Sequence, residues 1–277
     1  MTDLARFSCS ATGVVTQLGT DDFFDALLSF VRHWVGVDEA CVLLYPPGGG
    51  PAIAYREHPR CSQSPNLDTF ITGPFLLDPF YVAASQKETF GFFSLSELAP
   101  QGFRSSEYYK TYYRFCGVFD ETGYLIPLGD ASFANISLAK TSPRRNFSRS
   151  SQRRLQDMTP LVATLTQRHF ELLPSSGFPE LQMLETDALR SRLELIMASF
   201  GGGCLTPRES EIVNAILHGN ASKAIATQLG ISLQTVKLHR KNAYRKLNVR
   251  NQSELFYRFI RALQESPVQV MPAKPNL

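Results

Sequence analysis

Apolar residues at Phe23, Phe24, Leu27, Leu28, Val31, Trp34 and Val35 recur at helical spacing behind Asp21-Asp22. That pattern predicts an amphipathic helix with an acidic first turn. The period then shortens. Ala40 to Tyr45 is a compact apolar run, Pro46-Pro47-Gly48-Gly49-Gly50 breaks it, and Ala52 to Arg56 resumes it. The pair reads as a hairpin with a longer loop. Residues 1–20 are polar and rich in Thr, Ser and Gly, and read as a loose lead-in. Asp78-Pro79-Phe80-Tyr81 has the form of a helix start, with Asp78 as N-cap and Pro79 at the first position. Phe90 to Leu95 is short and apolar, and Ser105 to Phe115 is helical in spacing, with Tyr108, Tyr112 and Phe115 on one side. Tyr124 to Leu128 and Phe133 to Ala139 are strand-like runs joined by Gly129-Asp130, a turn signal. Phe147 to Leu173 is a long helix with Ser148 or Ser150 as its cap. An α+β fold, a central antiparallel sheet with helices packed on it, satisfies this order.

Pro174 to Pro179 marks a linker. Leu189, Leu193, Ile196 and Phe200 then form a short heptad-like seam, and Gly201-Gly202-Gly203 ends it as a flexible joint. The pattern after Leu205 is all helical. Thr206, Pro207 and Glu209 form a capping box with proline at the first helical position. Ile212, Val213, Ile216 and Leu217 supply its buried face. In the second helix Ala226 is small, as a close crossing requires. Gly230 follows at the turn, and Val236 lies in a third helix capped by Ser232. Small residue, turn glycine and branched apolar residue at this spacing make a helix-turn-helix. A fourth helix from about Asn251 carries Leu255, Phe256, Phe259, Ile260 and Leu263. The chain therefore divides into a 1–175 domain, a 176–204 linker with a helix, a 205–266 four-helix domain and a 267–277 tail.

Charge separates these parts. The net charge of +3 hides ten Lys/Arg against four Asp/Glu in 205–265, which leaves −3 on the rest of the chain. A basic end on a mildly acidic body points to a polyanion. The third helix carries Lys237, Arg240, Lys241, Arg245 and Lys246 on its outer faces, where they reach base edges and phosphates of double-stranded DNA. No apolar run approaches the ~20 residues of a membrane span, and the start lacks a signal-peptide pattern. Five scattered cysteines without a CxxC pair argue for a reducing cytoplasm and against a disulfide framework or zinc. His33, His58, His169, His218 and His239 stand in no nucleophile or metal-ligand spacing, so neither an enzyme, a metal site nor a cofactor is expected.

The segment from Leu205 to Leu255 resembles the DNA-binding domain of LuxR/NarL-type bacterial transcription regulators. Leu205-Thr206-Pro207-Arg208-Glu209, Gly219, Ile225-Ala226, Ile231-Ser232, Thr235-Val236-Lys237, Lys246-Leu247 and Val249-Arg250 carry the likeness. It implies Thr235 and Lys246 near phosphates, with Ser222 at the start of the second helix as a further contact. It also implies Lys237, Leu238 and Lys241 in the groove, a homodimer on a two-fold operator, and RNA polymerase as a partner. The closing part of the first domain is similar to a GAF-type sensor, in Leu125-Ile126-Pro127-Leu128, Asn135-Ile136-Ser137-Leu138 and the helix after Phe147. That resemblance implies a small-molecule effector held between sheet and covering helices. Candidate lining residues are Asp78, Phe80, Tyr81, Phe92, Tyr108, Tyr112, Asp120 and Tyr124, with Glu121 as a further polar partner. Aromatic rings beside carboxylates suit an organic cation. Two other readings stand beside this one. Asp78-Pro79 is similar to the Asp-Pro of acyl-homoserine-lactone domains, although their upstream Trp and Tyr pattern is missing. Alternatively, the first domain docks a protein partner.

Overall fold

The computed structural model describes residues 2–47, 50–57, 67–71, 73–114, 117–143, 146–173, 195–196 and 200–265. Five antiparallel strands form one sheet in the order β2-β1-β5-β4-β3. They are β1 (Glu39–Tyr45), β2 (Ala52–Arg56), β3 (Gly91–Ser94), β4 (Asp120–Gly129) and β5 (Ser132–Lys140). The central β1–β5–β4 ladder is continuous, from Glu39 opposite Ala139 to Tyr45 opposite Phe133 and from Asp120 opposite Lys140 to Pro127 opposite Phe133. Gly129, Asp130 and Ala131 turn the β4–β5 hairpin at positive φ, as a tight connection of this hand requires.

Alternation along the strands gives the sheet two faces. Val42, Leu44, Phe92, Tyr124, Ile126, Ala134, Ile136 and Leu138 point to one face, under α2 (Phe23–Trp34) and α6 (Arg149–Leu172). Leu43, Tyr45, Leu125 and Phe133 point to the other, under α4 (Pro79–Lys87) and the short helices α3 (Leu67–Phe70) and α5 (Leu95–Leu98) around it. The α6 helix is capped by Ser148, whose hydroxyl accepts from the Ser151 amide at 3.1 Å. On the first face His169 stacks on Phe23 at 4.1 Å, and its Nδ1 accepts from the Gly19 amide at 3.1 Å. Burial pushes this imidazole down to about 4.

Two segments differ from the sequence pattern. Residues 1–20 are not a loose lead-in, because Asp3–Val15 forms a helix, α1. Thr2 caps it, accepting from the Ala5 amide at 3.2 Å. Phe7 wedges against Phe30 and Trp34 at 5.4 and 5.9 Å. Docking on α2 thus orders a stretch whose own apolar pattern is thin. The stretch after Ser105 is a π-helical turn, Tyr109–Arg114, behind a short 3₁₀ turn at Phe103–Ser105. Its wider winding stacks Tyr109 on Tyr113 at 5.5 Å and brings Tyr108 to Tyr112 at 5.1 Å. Phe115 lies outside the described residues.

The C-terminal helices are α7 (Pro207–Leu217), α8 (Ser222–Leu229), α9 (Leu233–Lys246) and α10 (Gln252–Glu265). Local chemistry sets their ends. The Thr206 hydroxyl accepts from the Glu209 amide and the Glu209 carboxylate accepts from the Thr206 amide, at 3.3 and 2.8 Å. Gly230 takes φ 64° between α8 and α9, and Ser232 accepts from the Thr235 amide at 3.0 Å. Ile212, Val213, Ile225, Val236, Ala243, Leu255 and Phe259 close the core. Of the seam ahead of α7, Leu189 and Leu193 lie outside the described residues, and Phe200 packs edge-on against Phe259 at 5.2 Å. No helix among the described residues is long and apolar enough to cross a membrane.

Candidate functional site

The second face of the sheet is incompletely filled. A cavity of about 220 Å³ opens between it and the covering segments. Cys41 and Leu43 of β1, Glu121 of β4, and Asn135 and Ser137 of β5 form its floor. Leu67, Phe70, Asp78, Tyr112, Tyr113 and Val118 form the opposite wall, and Glu39, Arg56 and Glu57 stand at its rim. The apolar walls and few convergent polar groups are those of a small-molecule site.

Asp78 and Glu121 dominate its electrostatics. Asp78 caps α4, its Oδ1 accepting from the Phe80 and Tyr81 amides at 2.9 and 3.1 Å. Its Oδ2 accepts the Tyr113 hydroxyl at 2.8 Å. Burial raises its carboxyl pKa against the lowering effect of these donors. Glu121 accepts the Ser137 hydroxyl. Burial first, and then the Asp78 charge, push it up to about 8. Burial also lifts the Cys41 thiol to about 12, so it is a poor nucleophile. Among the described residues no group of three or more His, Cys, Asp or Glu could hold a metal ion.

The sequence candidates separate by strand parity. Asp78 and Tyr112 line the cavity. Phe80, Tyr81 and Tyr108 belong to the core behind its wall, each at most 2% exposed. Phe92 and Tyr124 do not belong to it, for both lie on the opposite face and the Tyr124 hydroxyl donates to the Leu155 carbonyl of α6 at 2.8 Å. Asp120 is diverted too, since its carboxylate accepts from the Phe147 amide at 2.8 Å and sets the approach to α6. Tyr113, Cys41, Asn135 and Ser137 were absent from the candidate list. Counting by twos along β4 and β5 reaches the last two.

In the C-terminal domain, α9 turns Lys237, Leu238, Lys241 and Arg245 to solvent, with Leu238 56% exposed. Lys237, Lys241 and Arg245 follow one another at four-residue steps along one stripe, the geometry of a groove-facing helix surface. Other candidates are tethered. Lys246 donates to Glu209 at 2.6 Å, which fastens the end of α9 to the start of α7. Arg240 donates to the Ser222 hydroxyl at 3.3 Å. The Thr235 hydroxyl lies 2.8 Å from that of Ser232 at the cap. Lys223, exposed at the start of α8, is a further cation that the sequence reading passed over.

The two domains touch through the cavity wall. Tyr108 and Tyr112 meet Phe256 of α10 at ring distances of 6.4 and 6.5 Å. The Ala221 amide donates to the Gln101 carbonyl at 2.8 Å. Gly102 and Gly219 permit the approach. A Cβ at Gly102 would stand 2.8 Å from that of Ala221, and one at Gly219 would stand 3.0 Å from the Phe103 ring.

Known proteins fit this division. Residues 204–259 match the family model described as bacterial regulatory proteins, luxR family. A putative HTH-type transcriptional regulator in the exeN 3′ region of Aeromonas salmonicida is 34% identical over 196 residues, covering 69% of this chain and 97% of that protein. The monoamine regulon transcriptional regulator of Klebsiella aerogenes is 31% identical over 155 residues, 56% of each chain. The crystal structure of the VqsR LBD domain from Pseudomonas aeruginosa covers 61% of this chain and 99% of its own, with 24% identity and a TM-score of 0.54. That likeness is one of fold, and it falls on the N-terminal α+β domain. The GAF-like reading of that domain is not confirmed by these matches.

Proposed function

The chain belongs to the luxR family of bacterial regulatory proteins, and from that premise we propose a cytoplasmic, ligand-responsive transcription factor rather than an enzyme. It binds a two-fold DNA operator as a homodimer, contacts RNA polymerase, and answers to a small molecule held in the 220 Å³ cavity. In the DNA complex Lys237, Leu238 and Lys241 enter the major groove. Thr235, Arg245 and Lys246 stand along the phosphates, with Ser222 and Arg240 beside them.

One observation carries the sensing half of this reading. Tyr112 lines the cavity and also touches Phe256 of the DNA-binding domain. A ligand that prefers one placement of this tyrosine thereby favours one placement of the DNA-binding domain. An acyl-homoserine lactone is the second reading, favoured by Asp78 of the Asp78-Pro79 pair at the cavity wall.

The test is a screen of the full chain against metabolites by thermal shift, followed by operator selection and anisotropy with each hit. A sensor gains stability with ligand concentration and changes its DNA affinity in the same range. DNA affinity indifferent to every stabilising compound would favour a constitutive DNA-binding protein whose first domain docks a protein partner.

A further inference from the structure

Carboxyl and amide oxygens dominate the polar groups of the cavity, with the Arg56 guanidinium at its rim. Asp78 and Glu121 are carboxyls, and their fixed neighbours Tyr113 and Ser137 have turned their hydroxyl protons toward them. Asn135, 4% exposed and lining the same floor, has a buried amide oxygen without a hydrogen-bond partner among the described residues. A buried acceptor left unmatched costs free energy, so the site favours a guest rich in N–H or O–H donors.

Charge sharpens this. Among the described residues four carboxyl side chains line the cavity, those of Glu39, Glu57, Asp78 and Glu121, against the single guanidinium of Arg56. Arg32 neutralises Glu57 from outside at 2.5 Å, and Asp78 and Glu121 are the two carboxyls buried at the site itself. Phe70 and Tyr112, edge to face at 6.4 Å, supply an aromatic wall beside the carboxyls. Such a wall attracts a cation through its ring faces and accepts an apolar tail.

We propose that the cavity binds a protonated primary amine with an aromatic or apolar tail, its ammonium paired with the Asp78 and Glu121 carboxylates and its tail against Phe70 and Tyr112. The inference rests on the sensor reading and narrows it to a chemical class. Glu121 holds its proton near neutrality, because burial and Asp78 raise it. Tyr113 and Ser137 oppose that rise and Asp120 adds to it, while Cys41, Tyr45 and Tyr108 are further titratable groups that feel the Glu121 charge. An arriving ammonium displaces the proton, so its affinity rises with pH up to the carboxyl's own value.

The experiment is isothermal titration of the full chain with 2-phenylethylamine, 2-phenylethanol and N-octanoyl-homoserine lactone at pH 6.5 and 7.5. The expected result is amine binding that releases a proton and tightens up to about tenfold over that interval, while the neutral alcohol binds more weakly and without the slope. Glu121→Gln keeps an acceptor for Ser137 and removes a buried ionisable group, so it folds. It is expected to lose the pH slope and at least about tenfold in amine affinity, with the alcohol unchanged. Alcohol binding equal to the amine at both pH values, lactone binding alone, or amine affinity untouched in Glu121→Gln would each overturn the amine class and leave the sensor standing. Absence of binding by all three probes overturns the class and counts against the sensor reading as well.

Discussion

Replacing the Glu121 carboxyl should make the first domain more stable, and by an amount that depends on pH. The folded carboxyl is raised from 4.5 to about 8 by burial and by Asp78. The unfolded chain releases this proton near 4.5 and the folded chain holds it until about 8, so unfolding between those values releases a proton. Stability from this group is therefore full below pH 4.5 and is lost as the pH climbs toward 8. At about 1.4 kcal/mol per pH unit, the loss by pH 7 reaches ~3 kcal/mol. Glutamine carries no such penalty, accepts from Ser137 as the carboxyl does, and relieves Asp78 of a like charge. Glu121→Gln is expected to exceed the parent by about 3–4 kcal/mol at pH 7.5 and by less than about 1 at pH 5. Urea unfolding followed by the fluorescence of Trp34 reads this directly, because the single tryptophan lies on α2 of the same domain. A difference that is the same at both pH values, or a less stable variant at pH 7.5, refutes a carboxyl held protonated by its surroundings.

The opposite slope comes from His169, lowered from 6.5 to about 4 by burial. Its contribution is complete above pH 6.5 and falls away as the pH drops toward 4, by up to ~3 kcal/mol; His169→Asn, which keeps an acceptor for the Gly19 amide, should flatten that acid limb in urea titrations. Lys237→Ala and Lys241→Ala leave the fold intact, since both side chains are exposed. Each should weaken operator binding about tenfold or more, and one that contacts phosphate should reduce the log–log salt slope by about one, measured by anisotropy between 50 and 200 mM salt. Gly102→Ala places a Cβ 2.8 Å from that of Ala221 at a φ of 102°, so it should loosen the domain contact. Faster hydrogen exchange at the Ala221 amide, which donates to Gln101, with no change at Ile225 is the signature; unchanged exchange at Ala221 contradicts it.

The C-terminal domain was legible because local groups write its boundaries. Thr206 with Glu209, Gly230 and Ser232 fix three helix ends within a few residues of themselves. The first domain is written at longer range. Asp120-Glu121-Thr122-Gly123 has little strand propensity, and the apolar pattern starts β4 only at Tyr124. Pairing with Lys140 to Ser137 makes these four residues strand, and with the strand comes the parity that sends Glu121 to the cavity and Tyr124 away from it. Gly123 sits between them for want of room, since a Cβ there would lie 2.6 Å from the Ile136 carbonyl oxygen. The π-helical winding that brings Tyr113 onto Asp78 has no sequence signature of its own. Asp78 itself was found by its role as N-cap, a local signal, although its second oxygen serves the cavity wall.

The contact between the domains has the strength a switch needs. Two edge-to-face pairs with Phe256 contribute about 0.5–1.5 kcal/mol each. The hydrogen bond from Ala221 to Gln101 adds about 1 kcal/mol net. These three contacts sum to about 2–4 kcal/mol, near the 1–3 kcal/mol by which one ligand commonly alters the affinity for another, and the packing of Phe103 on the α7–α8 turn adds to them. A larger interface would lock the DNA-binding domain against any effector small enough for the cavity, and a smaller one would leave it indifferent. Because Tyr112 stands on both surfaces, an effector need only disfavour the docked position of that ring to move the balance between them. On the proposed sensor reading the same linkage runs backward, so operator DNA that holds the domain away from Phe256's present partners alters effector affinity by the same factor.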